Sequence, residues 1–105
     1  MVPIILAASY YDPAGGFGAC GWRIYDTDFI VALGEDTWDG GVHCGKIIHV
    51  TYNGVTISAT VADRCPGCNS LHGPHSIDLS EGAMAALDSN YVNDGIITVH
   101  WEGYF

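Results

Sequence analysis

Two carboxylates sit in segments where apolar runs end: Asp63 in Val61-Ala62-Asp63-Arg64-Cys65-Pro66 and Asp78 in His75-Ser76-Ile77-Asp78-Leu79-Ser80. A carboxylic acid beside a partner carboxylate or polar group is the pairing that protonates, strains or cleaves a glycosidic bond. The structural alternatives are a cap or turn anchor ahead of a helix for Asp78, and an ion pair with Arg64 or a turn cap for Asp63. The segment Ser9-Tyr10-Tyr11-Asp12-Pro13 alternates faces, so Ser9 and Tyr11 point one way while Tyr10 and Asp12 point the other. Only one of these pairs can line a groove with the carboxylates. Tyrosine rings there suit stacking on sugar faces, although they are also ordinary strand residues. Of Trp22, Trp38 and Trp101, Trp38 is expected to be the exposed one, because Asp36, Thr37, Asp39 and Gly40 surround it. Trp101 is expected to pack within the last strand.

Cysteine and histidine make a denser cluster, Cys65-x2-Cys68-x3-His72-x2-His75. Two thiolates and two imidazoles suit tetrahedral zinc. The histidine spacing is compressed for a finger, however, and Cys20 and Cys44 would be left over. Structural disulfides are the preferred reading, and four cysteines allow three pairings. No βαβ context supports a redox C-x2-C, and no phosphate loop, nucleophile elbow or Ser/His/Asp order is present. No metal and no cofactor are expected.

Strands must position these residues. Ile4 to Tyr11, Phe29 to Leu33, Lys46 to Tyr52, Val55 to Asp63 and Gly95 to Trp101 are rich in β-branched and aromatic side chains, which predicts a mainly β protein. Asn53-Gly54 supplies the two positive-φ residues of a type I′ turn and joins two of these strands as a hairpin. Period-2 alternation puts Val55, Ile57, Ala59, Val61 and Asp63 on one face, so Asp63 is expected to end an inward row at the barrel mouth. One helix is predicted over Ser80 to Asp88, with a Ser N-cap and with Met84 and Leu87 on one side, packed as a lid. A weaker helical turn is expected at Glu35 to Trp38. Glycines clustered between Gly15 and Gly21 mark tight turns and close crossings.

The 105 residues suffice for one domain, expected to span 1–105. Hydrophobic residues make up 49% and charged residues 14%, a globular composition with a neutral polar surface. Arg23, Lys46 and Arg64 face twelve acidic residues, giving a net charge of −9. That balance excludes nucleic acid and anionic lipid as general partners, and disfavours acidic polymers. Neutral polysaccharide, a neutral peptide or a cation remains. The longest apolar run, Val2 to Ala8, is too short to span a bilayer and has no basic flank; it is read as part of the fold. The Met1-Val2-Pro3 start is compatible with a removed secretion signal, and the cysteine content points to an oxidising, extracellular compartment.

Taken in order, Ala8 to Pro13, Gly18-Ala19-Cys20-Gly21, Cys44-Gly45-Lys46, Val61 to Cys68, Ile77 to Ser80 and the closing Gly95 to Trp101 strand resemble the expansin, loosenin and barwin superfamily over most of the chain. The resemblance implies a six-stranded double-psi β-barrel with one or two short helices. It also implies a secreted, monomeric, non-lytic protein that binds neutral glycan such as cellulose or chitin and loosens its packing. The chain ends just after the last barrel strand, so the second, carbohydrate-binding domain of full expansins is expected to be absent. Asp78 matches the Asp of the family's His-Phe-Asp motif, which is the general acid in related endoglucanases; Ser76-Ile77 replace its first two residues. Asp63 matches the other groove carboxylate, which would orient Asp78 and raise its pKa. Ser9 and Tyr11 match the Thr and Tyr of a Thr-Phe-Tyr motif, with Asp12, Tyr10 and Trp38 as further substrate contacts. The family pattern pairs Cys20 with Cys44 and leaves Cys65 for Cys68. Cys65 stands where some relatives carry a groove Tyr. Pro13 stands where endoglucanases carry the base, and a one-residue shift would put Asp12 there. Inverting hydrolysis needs carboxyl groups about 6.5–9.5 Å apart. Two other functions fit the same barrel: a barwin-like proteinase inhibitor or defence module acting through Glu35 to Val42 and Asn69 to His75, and a weak endoglucanase or lytic transglycosylase.

Overall fold

Alternation along the strands decides which side chains fill the interior. In a computed structural model that describes residues 6–103, six strands close into a barrel: β1 (Leu6–Tyr11), β2 (Ile30–Gly34), β3 (Ile47–Tyr52), β4 (Val55–Cys65), β5 (Ile77–Ser80) and β6 (Ile97–Gly103). Their order around the barrel is β1-β5-β2-β4-β3-β6. The β1–β5 and β2–β4 pairs are parallel and the other four antiparallel. Ala8, Val31, Leu33, Ile48, Val50, Ala59, Val61, Ile77, Leu79, Ile97 and Val99 point inward and are buried. The interior is therefore a packed core, and nothing can be bound inside it. Ile4 and Ile5 of the predicted first strand, and most of the Val2 to Ala8 run, lie outside the described residues.

Asn53 and Gly54 take φ of 48° and 84°, as the predicted hairpin turn between β3 and β4 requires. The lid helix is α3 (Glu81–Leu87); Ala83, Met84 and Leu87 press on the barrel core. Ser80 caps it by accepting the Ala83 N–H, and the same hydroxyl donates to Asp28 O. The expected turn at Glu35 to Trp38 is a helix (α1), and two others, α2 (Cys68–His72) and α4 (Tyr91–Asp94), add to it. At four and five residues these two are too short to show a helical period in the sequence. No helix among the described residues is long and apolar enough to cross a membrane.

One expectation about the strands fails. Val31 pairs with Val61, but Ala32 pairs with Asp63, so Ala62 is an extra residue in β4. The bulge reverses alternation, and Asp63 faces the outside of the barrel instead of ending the inward row. Ala62 is buried under the long β1–β2 connection, in a small second core with Ile24 and Ile30 against which Tyr11 packs. Its freed carbonyl accepts the Cys20 N–H at 3.2 Å. Gly18 crosses directly over it, since a Cβ at that position would lie 2.3 Å from Ala62 O. The Cys20–Cys44 bridge ties this connection to the segment entering β3, and Cys65–Cys68 spans the turn from β4 into α2. Both bridges follow the pattern the resemblance implied.

Candidate functional site

Four side chains form one row across the outer face. Register pairs Ser9 with Asp78, Asp78 with Ala32, and Ala32 with Asp63, on strands β1, β5, β2 and β4. Their inward neighbours Ala8, Ile77, Leu79, Val31 and Leu33 are core residues, so the row itself must face outward. Ala32 contributes only a methyl and is itself covered, 1% exposed, between the two carboxylate-bearing strands. The α-carbons of Asp78 and Asp63 are two strand spacings apart, about 10 Å.

The two carboxylates differ in surroundings. Asp78 is half-buried, and its Oδ1 accepts the Ser9 hydroxyl at 2.9 Å. Burial is the main cause that raises its pKa above the aspartate value of 3.8, with a small addition from the negative charge of Asp63. The Ser9 hydrogen bond and the charge of His72 pull the other way. The expectation that Asp63 is what raises the Asp78 pKa is thus met only as a minor contribution. Asp63 is held by three donors: Oδ2 accepts the Tyr11 hydroxyl at 2.9 Å, and Oδ1 accepts the N–H groups of Ala19 at 2.8 Å and Arg64 at 2.9 Å. It is an anchor for the β1–β2 connection as well as part of the row. Its tie to Arg64 is through the backbone. Tyr11 is held as the neutral phenol, its pKa raised by burial and then by Asp63.

The other predicted contacts lie elsewhere. Tyr10 is on the opposite face from Ser9 and Tyr11, packed on the core with its ring edge-on to Tyr91 at 5.1 Å. Asp12 is exposed and its carboxylate groups with Asp26 and Glu81, where α3 begins. Hydrogen bonding to Glu81 pushes the Asp12 pKa up to about 6. Trp38 is half-buried, because α1 turns its ring onto the barrel core and against Gly41; its polar neighbours in sequence did not reveal this. Trp101 packs on the core as expected and donates its indole N–H to His75 O at 2.9 Å.

The Cys65–Cys68 bridge borders the row. Both sulfurs and an Asp78 oxygen lie within 4.8 Å of one another. Gly34 lets the Asn69 side chain and the Ser76 carbonyl approach closely, since a Cβ there would stand 2.7 Å from Asn69 Oδ1 and 3.0 Å from Ser76 O. His72, a member of the zinc-like spacing and of the Asn69 to His75 loop, is the last residue of α2, and its charge acts on Asp78. Ala32 carried no signal at all, being one more alanine in an apolar run.

No protein-family model matches the chain. A papain inhibitor from Streptomyces mobaraensis is 37% identical over 95 residues, covering 81% of this chain and 63% of that protein. Among solved structures, a variant of Clavibacter michiganensis expansin in complex with cellohexaose superposes with a TM-score of 0.81 at 27% identity, over 96% of this chain and 50% of that one. A Streptomyces papain inhibitor gives 0.78 at 29% identity, over 97% and 94%. The chain spans between 15% and 63% of the length of the curated relatives it matches. With the closed six-strand topology, these likenesses make the chain an expansin- and barwin-like double-psi β-barrel.

Proposed function

We propose that this barrel is an extracellular, loosenin-like protein that binds neutral β-linked glycan across the Ser9–Asp78–Ala32–Asp63 row and disrupts interchain hydrogen bonds without net hydrolysis. The observation that carries this reading is the asymmetry of the carboxylates. Asp78 is half-buried with a raised pKa, suited to give a proton or hydrogen bond to a sugar oxygen. Asp63 has three donors on it and is poorly placed to activate water as a base. Asp12, the other base candidate, is engaged with Glu81. Ser9 and Tyr11 then position the sugar through the groups they hold. A cellohexaose complex of a structural relative supports a glycan in this kind of barrel, and the net charge of −9 favours a neutral one. The protein acts as a single domain and a monomer in this reading, and its two disulfides suit an oxidising exterior.

The test is co-sedimentation with insoluble cellulose and chitin, measuring bound protein and released soluble sugar together, with Asp78→Asn alongside. Binding and loosening that fall in the variant, with no sugar above its background, are expected. Sugar release that grows with time and vanishes in the variant would replace the proposal with a hydrolase.

A second reading, inhibition of a papain-type protease, is favoured by the papain inhibitor relatives and by one feature of the predicted loops. Asp36 locks them together: it donates its N–H to Asn69 Oδ1 at 3.0 Å, and its carboxylate accepts Asn69 Nδ2 at 2.7 Å and the His75 N–H at 2.9 Å. Leu71, 76% exposed, projects from this rigid surface beside an open cleft of about 490 Å³ lined by Glu35, Asp36, Asn69 and Pro74. Papain inhibition that survives Asp78→Asn but is lost in Leu71→Asp would establish this second reading.

A further inference from the structure

The sequence motif of two cysteines and two histidines divides in the fold. His75 is drawn away, its ring Nδ1 2.9 Å from Asp36 Oδ2. Cys65, at the end of β4, and Cys68, at the start of α2, lie beside Asp78: their bonded sulfurs and an Asp78 oxygen are all within 4.8 Å of one another. His72 stands four residues after Cys68 on α2 and so shares that residue's helix face. A tetrahedral zinc site with Zn–S near 2.3 Å and Zn–O near 2.0 Å sets its ligand atoms ~3.5–3.8 Å apart. The Asp78 oxygen already lies within 4.8 Å of both sulfurs, and the sulfurs reach this spacing by separating once they are no longer bonded to each other.

We propose that Cys65, Cys68 and Asp78, completed by His72, form a latent site for a thiophilic divalent metal such as zinc or cadmium, opened when a reductant cleaves the Cys65–Cys68 bridge. A thiol reductant supplies the two electrons: the protein disulfide and two reductant thiols become two protein thiols and one reductant disulfide. Metal binding then forms two metal–sulfur bonds and releases the two thiol protons to solvent. The fold should withstand the cut. A bridge between residues only three positions apart closes a short loop and constrains the unfolded chain little, whereas Cys20–Cys44 closes the larger one. Asp78 supplies the hard oxygen and His72 the imidazole, a mixed donor set that zinc accepts and that magnesium or calcium, which prefer all-oxygen sites, does not.

The experiment treats the full chain with a trialkylphosphine, which takes up one oxygen from water as it reduces a disulfide and does not compete strongly for zinc. Free thiols are counted by alkylation and mass, and folding is followed by circular dichroism. Cadmium is then titrated while the ultraviolet thiolate-to-metal charge-transfer band is recorded, with zinc as competitor. One equivalent is expected to bind the reduced chain and none the oxidised chain. Asp78→Asn and His72→Ala should each weaken binding at least tenfold, and Cys65→Ser/Cys68→Ser should abolish it. The proposal is overturned by a Cys65–Cys68 bridge that resists reduction in the folded chain, by undiminished affinity in Asp78→Asn or His72→Ala, or by a band that persists in Cys65→Ser/Cys68→Ser.

Discussion

The Tyr11 hydroxyl donates to Asp63 Oδ2 at 2.9 Å, joining two strands that are not neighbours in the barrel. The contact exists because the Ala62 bulge turns Asp63 to the outer face that Tyr11 already occupies.

Tyr11→Phe keeps the ring packed on Ile24, Ile30 and Ala62 and removes one of the three donors on the Asp63 carboxylate. A loss of about 1.5–3 kcal/mol is expected, read as a lower urea midpoint with an unchanged slope.

Asp78→Asn tests the cost of burying the acid. Because its folded pKa is raised, Asp78 binds its proton more tightly in the folded chain than in the unfolded one. Its favourable contribution is complete below the unfolded value of 3.8 and is lost as pH rises through the folded value. The variant should therefore melt on the order of a few degrees higher than the parent at pH 7, with the gap closing near pH 3. A variant that melts lower at pH 7 would contradict this account of the site.

Gly18→Ala drives a methyl into the Ala62 carbonyl, 2.3 Å away, where backbone meets backbone and no side chain can swing aside. A destabilisation of about 1–3 kcal/mol is expected. Glycan binding should fall with it, because the Ala19 N–H on Asp63 sits one residue along; parent-like binding would separate the connection from the site.

Glu81→Gln addresses the second carboxylate group. Asp12 should titrate at about 6 in the parent, followed by carboxyl carbon NMR, because its proton is shared with Glu81. In the variant it should fall towards the ordinary aspartate range. Glu81 moves the opposite way in the parent, its pKa lowered by Asp12 and then by the Tyr91 hydroxyl at 2.6 Å.

Strand positions and the core were readable from alternation, the β3–β4 hairpin from Asn53-Gly54, and the α3 cap from Ser80, because each is a local signal. The face of Asp63 was not. Val61 and Ala62 are both apolar and both fully buried, so the extra residue leaves the hydrophobic pattern intact and only the partner strand reveals it. Trp38 misled for a related reason: its polar neighbours describe the chain around it, while its ring is half-buried against the barrel core and Gly41. Alternation did separate Ser9 and Tyr11 from Tyr10 and Asp12. Choosing between those pairs needed Ala8 to be seen inside the barrel.

The row at the site takes its members from β1, β2, β4 and β5, and β1 and β5 are parallel neighbours whose paired residues Ser9 and Asp78 stand 69 positions apart in the chain. No hairpin can carry it. Such a site exists only once the non-local β1–β5 and β2–β4 pairings have formed, and pairings of that kind form slowly. Ligand capture thus reports the assembly of four strands from across the chain, not the formation of any local element.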